Sequence, residues 1–163
     1  MTYHFEKSAN EIGALVLKAA RGGGLSFGLA EDLAMAAAFL DFDQLAVCPC
    51  HTGGSATVIP TALDLVAAGN GPITVSADRA VINAYVASVE YYTQQTLVWD
   101  VTATGAIFRR FEPIKPTTQS PKGRRSLPSA LNDHLTDMAA KILVPETENS
   151  RIFGAGAGPM DND

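Results

Sequence analysis

Apolar positions recur at helical spacing in three places along the chain. Ile12, Leu15, Val16 and Ala19 form one stripe, and Leu29, Leu33, Ala36, Ala37 and Leu40 a second. Leu131, Leu135, Met138, Ala139 and Ile142 form the third. Steps of three and four residues gather such side chains on one face of a helix. The first stripe opens on Ser8-Ala9-Asn10-Glu11, the pattern of a capping box: hydroxyl to the N–H of the third helical residue, carboxylate back to the cap N–H. Gly22-Gly23-Gly24 closes that helix, since glycine takes the left-handed conformation of a C-terminal cap. Ser26 caps the second helix, and Glu31 and Asp32 lie in its first turns, where the helix dipole favours negative charge. Helices are expected over 9–21 and 27–40, paired as an α-hairpin. The alanines of the second allow a close approach. A last helix is expected over 127–143, with Pro128 in its first turn and Pro145 ending it.

The stretch between these helices reads mainly as β-structure. Gln44–Val47 is a short apolar strand, and Thr57-Val58-Ile59 a second strand or extended piece before Pro60. Thr61–Gly69 reads as a short helix, followed by a turn at Asn70-Gly71-Pro72. Segments 73–75, 97–101 and 106–111 carry β-branched and aromatic residues at strand length, with Thr104-Gly105 turning between the last two. Residues 80–92 fit two patterns. Their valines and aromatics favour a strand, whereas Ile82, Tyr85, Val86 and Val89 also fit one helix face; the strand is preferred. Residues 112–126, with three prolines, read as a loop. The expected fold class is α+β in a single domain, 1–163. It combines the N-terminal α-hairpin (8–40), a mostly antiparallel β-sheet (mainly 44–111), the loop, the C-terminal helix, and an ordered glycine-rich tail (144–163) returning toward the hairpin.

A length of 163 residues suits one hydrophobic core, and 47% hydrophobic residues can fill it. The net charge of −5 argues against binding nucleic acid or an acidic membrane surface. Lys122, Arg124 and Arg125 form the one basic cluster and read as a solvated loop. No apolar run approaches the ~20 residues of a membrane helix, and the opening residues do not read as a signal peptide. A cytoplasmic protein is therefore expected, in which Cys48 and Cys50 are free thiols. With His51 the two cysteines look like half of a zinc site, but a fourth donor is missing, so no bound metal and no cofactor is expected. Trp99, Tyr91 and Tyr92 are expected to pack in or beside the sheet.

Two terminal segments carry defined motifs. Ser8–Leu40 contains Lys-Ala-Ala-Arg-Gly-x-Gly and then Gly-Leu-Ala-Glu-Asp; Val144–Asp163 contains Val-Pro, Ser-Arg, Gly-Ala-Gly-Ala-Gly and Asp-Asn-Asp. In these segments, about a third of its length, the chain resembles a family of small bacterial proteins of unknown function. That family brings no activity. The resemblance implies that both glycine-rich segments belong to the shared part of the fold. The reading preferred here is a protein that binds or acts on a small anionic metabolite. Its site would form where Arg21, Gly22, Gly24, Glu31 and Asp32 meet Arg151, Gly154, Gly156 and Gly158 of the tail. Glycines let a backbone approach an anion, and the helix N-terminus beside them supplies N–H donors. The alternative is a non-catalytic homodimeric or accessory interaction protein. Whether the chain is an enzyme stays open, as no nucleophile elbow or metalloprotease motif is present.

Overall fold

A computed structural model describes residues 3–121 and 123–143. The tail, and with it Arg151, Gly154, Gly156 and Gly158, lies outside the described residues. Strand β1 (His4–Ser8) leads directly into helix α1 (Ala9–Gly22). Both halves of the capping box form: the Ser8 N–H donates to Glu11 Oε2 at 2.7 Å and the Glu11 N–H to Ser8 Oγ at 3.3 Å. Helix α2 (Phe27–Ala37) folds back on α1, with Ala19, Ala20, Ala30, Ala36 and Ala37 almost wholly buried. The N-terminal α-hairpin is thus as expected. α2 ends three residues before Leu40, and residues 42–44 form a 3₁₀ turn, so the strand read over 44–47 is absent.

The central segment departs further from the pattern. Helix α3 (Ser55–Ala67) runs straight through Pro60, where the sequence reading placed a strand followed by a helix. Ala56, Ile59, Leu63 and Val66 supply one buried face, and that burial outweighs the single backbone hydrogen bond a proline removes. Helix α4 (Arg79–Thr93) occupies the ambiguous stretch, so the helix alternative holds and the preferred strand does not. Asp78 starts it, its Oδ1 accepting the Ala80 N–H at 2.8 Å while its Oδ2 accepts the Ala46 N–H at 3.0 Å.

Strands β2 (Ile73–Ser76), β3 (Thr96–Val101) and β4 (Gly105–Glu112) form an antiparallel sheet in the order β2-β4-β3. Val75 faces Ala106, Leu97 faces Phe111, and a register shift falls between Val98 and Trp99. Trp99 meets Phe108 edge-to-face at 6.3 Å, and Phe108 is wholly buried. β1 pairs antiparallel with β5 (Arg124–Pro128) in a separate two-stranded sheet, with Phe5 opposite Leu127. The loop read over 112–126 therefore ends in a strand. Arg124 and Arg125 are tied inward: Arg124 donates to the Glu6 carbonyl at 2.6 Å and Arg125 to the Leu40 carbonyl at 3.1 Å. Helix α5 (Ser129–Ala140) then packs along α1, burying Leu135 and Met138. The result is an α+β fold whose core joins Ile12, Leu33, Ile59 and Ile82 of α1 to α4 with Phe108 of β4 and Leu127 of β5.

Candidate functional site

The glycine turn between α1 and α2 is held by protein on its inner side. A methyl group at Gly22 would overlap the Met138 carbonyl oxygen of α5, and one at Gly23 the Cys50 carbonyl oxygen. Gly24 has φ +92°, a left-handed backbone that suits glycine. The N–H groups of Gly23, Gly24 and Leu25 donate to the carbonyls of Ala19, Arg21 and Ala20. Arg21 turns its guanidinium back onto the Leu25 carbonyl at 2.8 Å. The turn's donors are thus engaged internally, and its close neighbours are carbonyl oxygens.

Glu31 and Asp32 are adjacent in α2 and face different spaces. Glu31 lines an open groove with α1, Tyr91 and Tyr92; Asp32 lines a separate cavity between α2, α3 and α4. Arg21 belongs to neither wall. The second cavity holds about 210 Å³. Met35, Pro60, Leu63 and Val89 give it an apolar lining, and Asp32, Asp64, Tyr85, Ser88 and Tyr92 the polar groups. Asp32 and Asp64 are exposed at its rim. Partial burial holds the Asp32 carboxyl above the usual carboxylate range, reinforced by the negative charges of Asp64 and Glu31.

Tyr85 forms the inner wall. Its side chain is only 3% exposed, and its hydroxyl has no hydrogen-bond partner in the protein. Burial raises its pKa far beyond the usual phenol range, and the charge of Asp32 adds to the effect. The hydroxyl therefore stays protonated and unsatisfied. A buried polar group in that condition destabilises the fold unless a ligand or water completes it. A small apolar cavity with a few convergent polar groups and perturbed titration is the usual form of a ligand site.

Of this cavity, the sequence reading singled out Asp32 alone. Tyr85, Ser88, Val89 and Tyr92 recur at steps of three and four, so they share one face of α4. As a strand, the same stretch would have sent Tyr85 and Ser88 to opposite faces. The helical alternative for 80–92 was the signal that could have found the site.

A second cluster lies beneath the glycine turn. Cys48 is half-buried and Cys50 buried, and both thiols are free. The neighbouring Cys50 thiol lowers the Cys48 pKa to about 6, opposed by burial and helped by His134 of α5. The same interaction and burial push Cys50 well above the usual thiol range. His51, the neighbour in sequence, instead places Nδ1 3.1 Å from the Thr52 carbonyl. Among the described residues, no group of three His, Cys, Asp or Glu side chains is arranged to hold a metal ion. Nor is any helix of the described residues long and apolar enough to cross a membrane.

A family model described as "Protein of unknown function (DUF3726)" matches residues 7–49. That segment covers the α-hairpin and the glycine turn, and includes Glu31, Asp32 and Cys48. It stops short of Cys50, Asp64, Tyr85 and His134, and the C-terminal motif segment also lies outside it. No curated protein and no solved structure matches the chain.

Proposed function

We propose that the chain is a small-ligand protein, and that its ligand is a small organic cation: an amine bearing one compact apolar group, held in the α2/α3/α4 cavity. The observation that carries this reading is an apolar cavity rimmed by Asp32 and Asp64, with Tyr85, whose hydroxyl is buried and partnerless, in its wall. An ammonium group between the two carboxylates relieves the repulsion that raises the Asp32 pKa. The Tyr85 oxygen accepts one of its N–H bonds, and the Tyr92 ring adds a cation–π contact. The apolar group rests on Met35, Leu63 and Val89. A volume of about 210 Å³ favours a single ring or short chain over the ~300–1,000 Å³ class of larger ligands. The small-ligand class is the one read from the sequence, but the cation replaces the anion. The turn's N–H groups are already engaged, and the rim carboxylates repel negative charge.

Benzylamine, benzyl alcohol and benzoate test this by thermal shift. Eight heavy atoms at roughly −0.5 kcal/mol each correspond to a Kd of about 1 mM. At about ten times that concentration, binding stabilises the fold by about 1.4 kcal/mol, a melting shift of roughly 3–6 °C. The shift should appear with the amine, shrink with the alcohol, be absent with benzoate, and fall away in Asp32→Asn. An equal response to amine and alcohol, or a response to benzoate alone, would reject the cationic ligand.

The interaction reading draws on a different observation. The open groove on α1 and α2 has a floor of small residues, Ala9, Gly13, Ala14 and Ala34, beside Leu17 and Met35. Phe27, Met35 and Tyr92 are exposed large apolar residues. A homodimer seated there should appear as twice the chain mass in sedimentation analysis and dissociate on Ala14→Arg; a monomer at all concentrations would remove the homodimer.

A further inference from the structure

The open groove on α1 and α2 has its own floor and its own charge, and what fills it does not depend on the ligand of the neighbouring cavity. The groove holds about 550 Å³. Its floor lies where the two helices come closest: a methyl group at Gly13 would stand 3.4 Å from the Ala34 carbonyl oxygen. Ala14 and Ala38 extend that floor, and Tyr91 and Tyr92 of α4 close the far side. Because α2 folds back on α1 with Gly13 against Ala34, Leu17 comes level with Glu31 at one end, and Ala9 lies at the other. Among the described residues Glu31 is the only charged group lining the groove, and no described cation pairs with it.

The chain leaves α5 beside the Glu31 end. Met138 and Lys141 of α5 lie against Gly22, at the turn from which α2 starts, and Glu31 is one turn inside α2. Seven residues, 144–150, separate Leu143 from Arg151. Extended, they reach about 25 Å. Passing halfway round a helix ~10 Å across takes about 16 Å, so Arg151 is within reach of Glu31.

From Arg151 onward, the order of residues follows the order of surfaces along the groove. Ile152 and Phe153 come level with Leu17 and Met35, the apolar residues beside Glu31. Gly154-Ala155-Gly156-Ala157-Gly158 comes next, at most about 17 Å long. The floor from Leu17 to Ala9 runs about 12 Å, eight residues at ~1.5 Å each. With no side chain beyond a methyl group, that segment can lay its backbone against the helices. Asp161 and Asp163 then arrive at the first turn of α1, where the helix dipole favours negative charge and Lys7 adds a cation.

We propose that the α1/α2 groove is the docking site of this chain's own C-terminal segment, Arg151–Gly158. Arg151 pairs with Glu31, Ile152 and Phe153 seat on Leu17 and Met35, and the glycine-alanine run covers the helix floor. A second copy of the chain is the competing occupant and gains this face only by displacing the segment.

Chymotrypsin cleavage after Phe153, followed by mass analysis on the full chain, tests this. A free peptide of residues 144–163 sets the unprotected rate. When opening is fast relative to cleavage, the rate follows the undocked fraction. The parent should be cut well below the peptide rate. Glu31→Arg sets like charges together and should speed the cut roughly three- to tenfold. Ala14→Trp, a change at an exposed position, raises the floor and should speed it as well. Glu31→Arg combined with Arg151→Glu restores the pair and should return the rate toward the parent's. The proposal is overturned by a parent cut as fast as the free peptide, by a rate indifferent to Glu31→Arg and Ala14→Trp, or by a combined variant no slower than Glu31→Arg alone. Protection lost on about hundredfold dilution would also overturn it, since the occupant would then belong to a second copy.

Discussion

Alanine placed at three glycines of one short stretch should give three different outcomes. At Gly23 the backbone itself is no obstacle, since φ −81° and ψ −1° suit any residue. The obstacle is the Cys50 carbonyl, backbone that cannot rotate away, with the Met138 methyl behind it. Either the end of α1 or the 48–52 loop must move, and overpacking of this kind costs about 1–3 kcal/mol. At Gly24 the added methyl would lie 3.5 Å from Thr52 Cγ2, an ordinary contact, but φ +92° strains any other residue. That strain is worth about 1–2 kcal/mol. Gly28 lies inside α2 with nothing near its Cβ position, so alanine there should stabilise by about 0.5–1 kcal/mol. Urea denaturation followed by circular dichroism reads all three, with the m-value constant if only stability changes. In a fold of this size each kcal/mol moves the melting temperature by roughly 2–4 °C. Because none of these glycines lines the cavity, benzylamine should stabilise all three variants as it does the parent. A Gly23→Ala protein as stable as the parent would refute the packing role and return the turn to candidacy as a binding loop.

Asp32→Asn should stabilise the unliganded protein near neutral pH, by well under ~1 kcal/mol because the group is exposed. The raised folded pKa means the native state holds the proton longer than the unfolded chain, so Asp32 lowers stability as pH rises from the unfolded value through the folded one. The benefit of asparagine should therefore vanish in acid, as paired pH–stability curves would display. Tyr85→Phe removes a buried hydroxyl without a partner and should be neutral or stabilising by about 1 kcal/mol while weakening benzylamine, a split visible by comparing melting with calorimetric titration. Ser8→Ala breaks the capping box and should cost about 1 kcal/mol in urea denaturation.

The parts of the fold legible in the sequence were those governed by local rules. The Ser8–Glu11 box and the two apolar stripes of the hairpin are set by residues within a turn of each other. Strand β5 was hidden because Arg124, Arg125 and Ser126 carry no apolar alternation; what makes them a strand is β1, about 120 residues earlier in the chain. Pro60 and the β-branched residues of 57–59 and 81–89 argue locally against helix, and tertiary burial of one face overrides them. The candidate cavity was legible only at Asp32. Asp64 fell within the short helix read over 61–69, but reading 80–92 as a strand dispersed Tyr85 and Ser88 of α4. The Cys-Pro-Cys spacing also stands out in the sequence, and both of its thiols are free in the fold.

Crystals soaked with 4-bromobenzylamine would test the ligand site most directly, because the bromine marks its own position by anomalous scattering. The account predicts one bromine peak in the α2/α3/α4 cavity against Met35, Leu63 and Val89, with the amino group between Asp32 and Asp64 and within hydrogen-bond reach of the Tyr85 oxygen. A cavity empty of bromine while the amine occupies the glycine turn or the open α1/α2 groove, or no bound amine at concentrations well above the expected Kd, would contradict it.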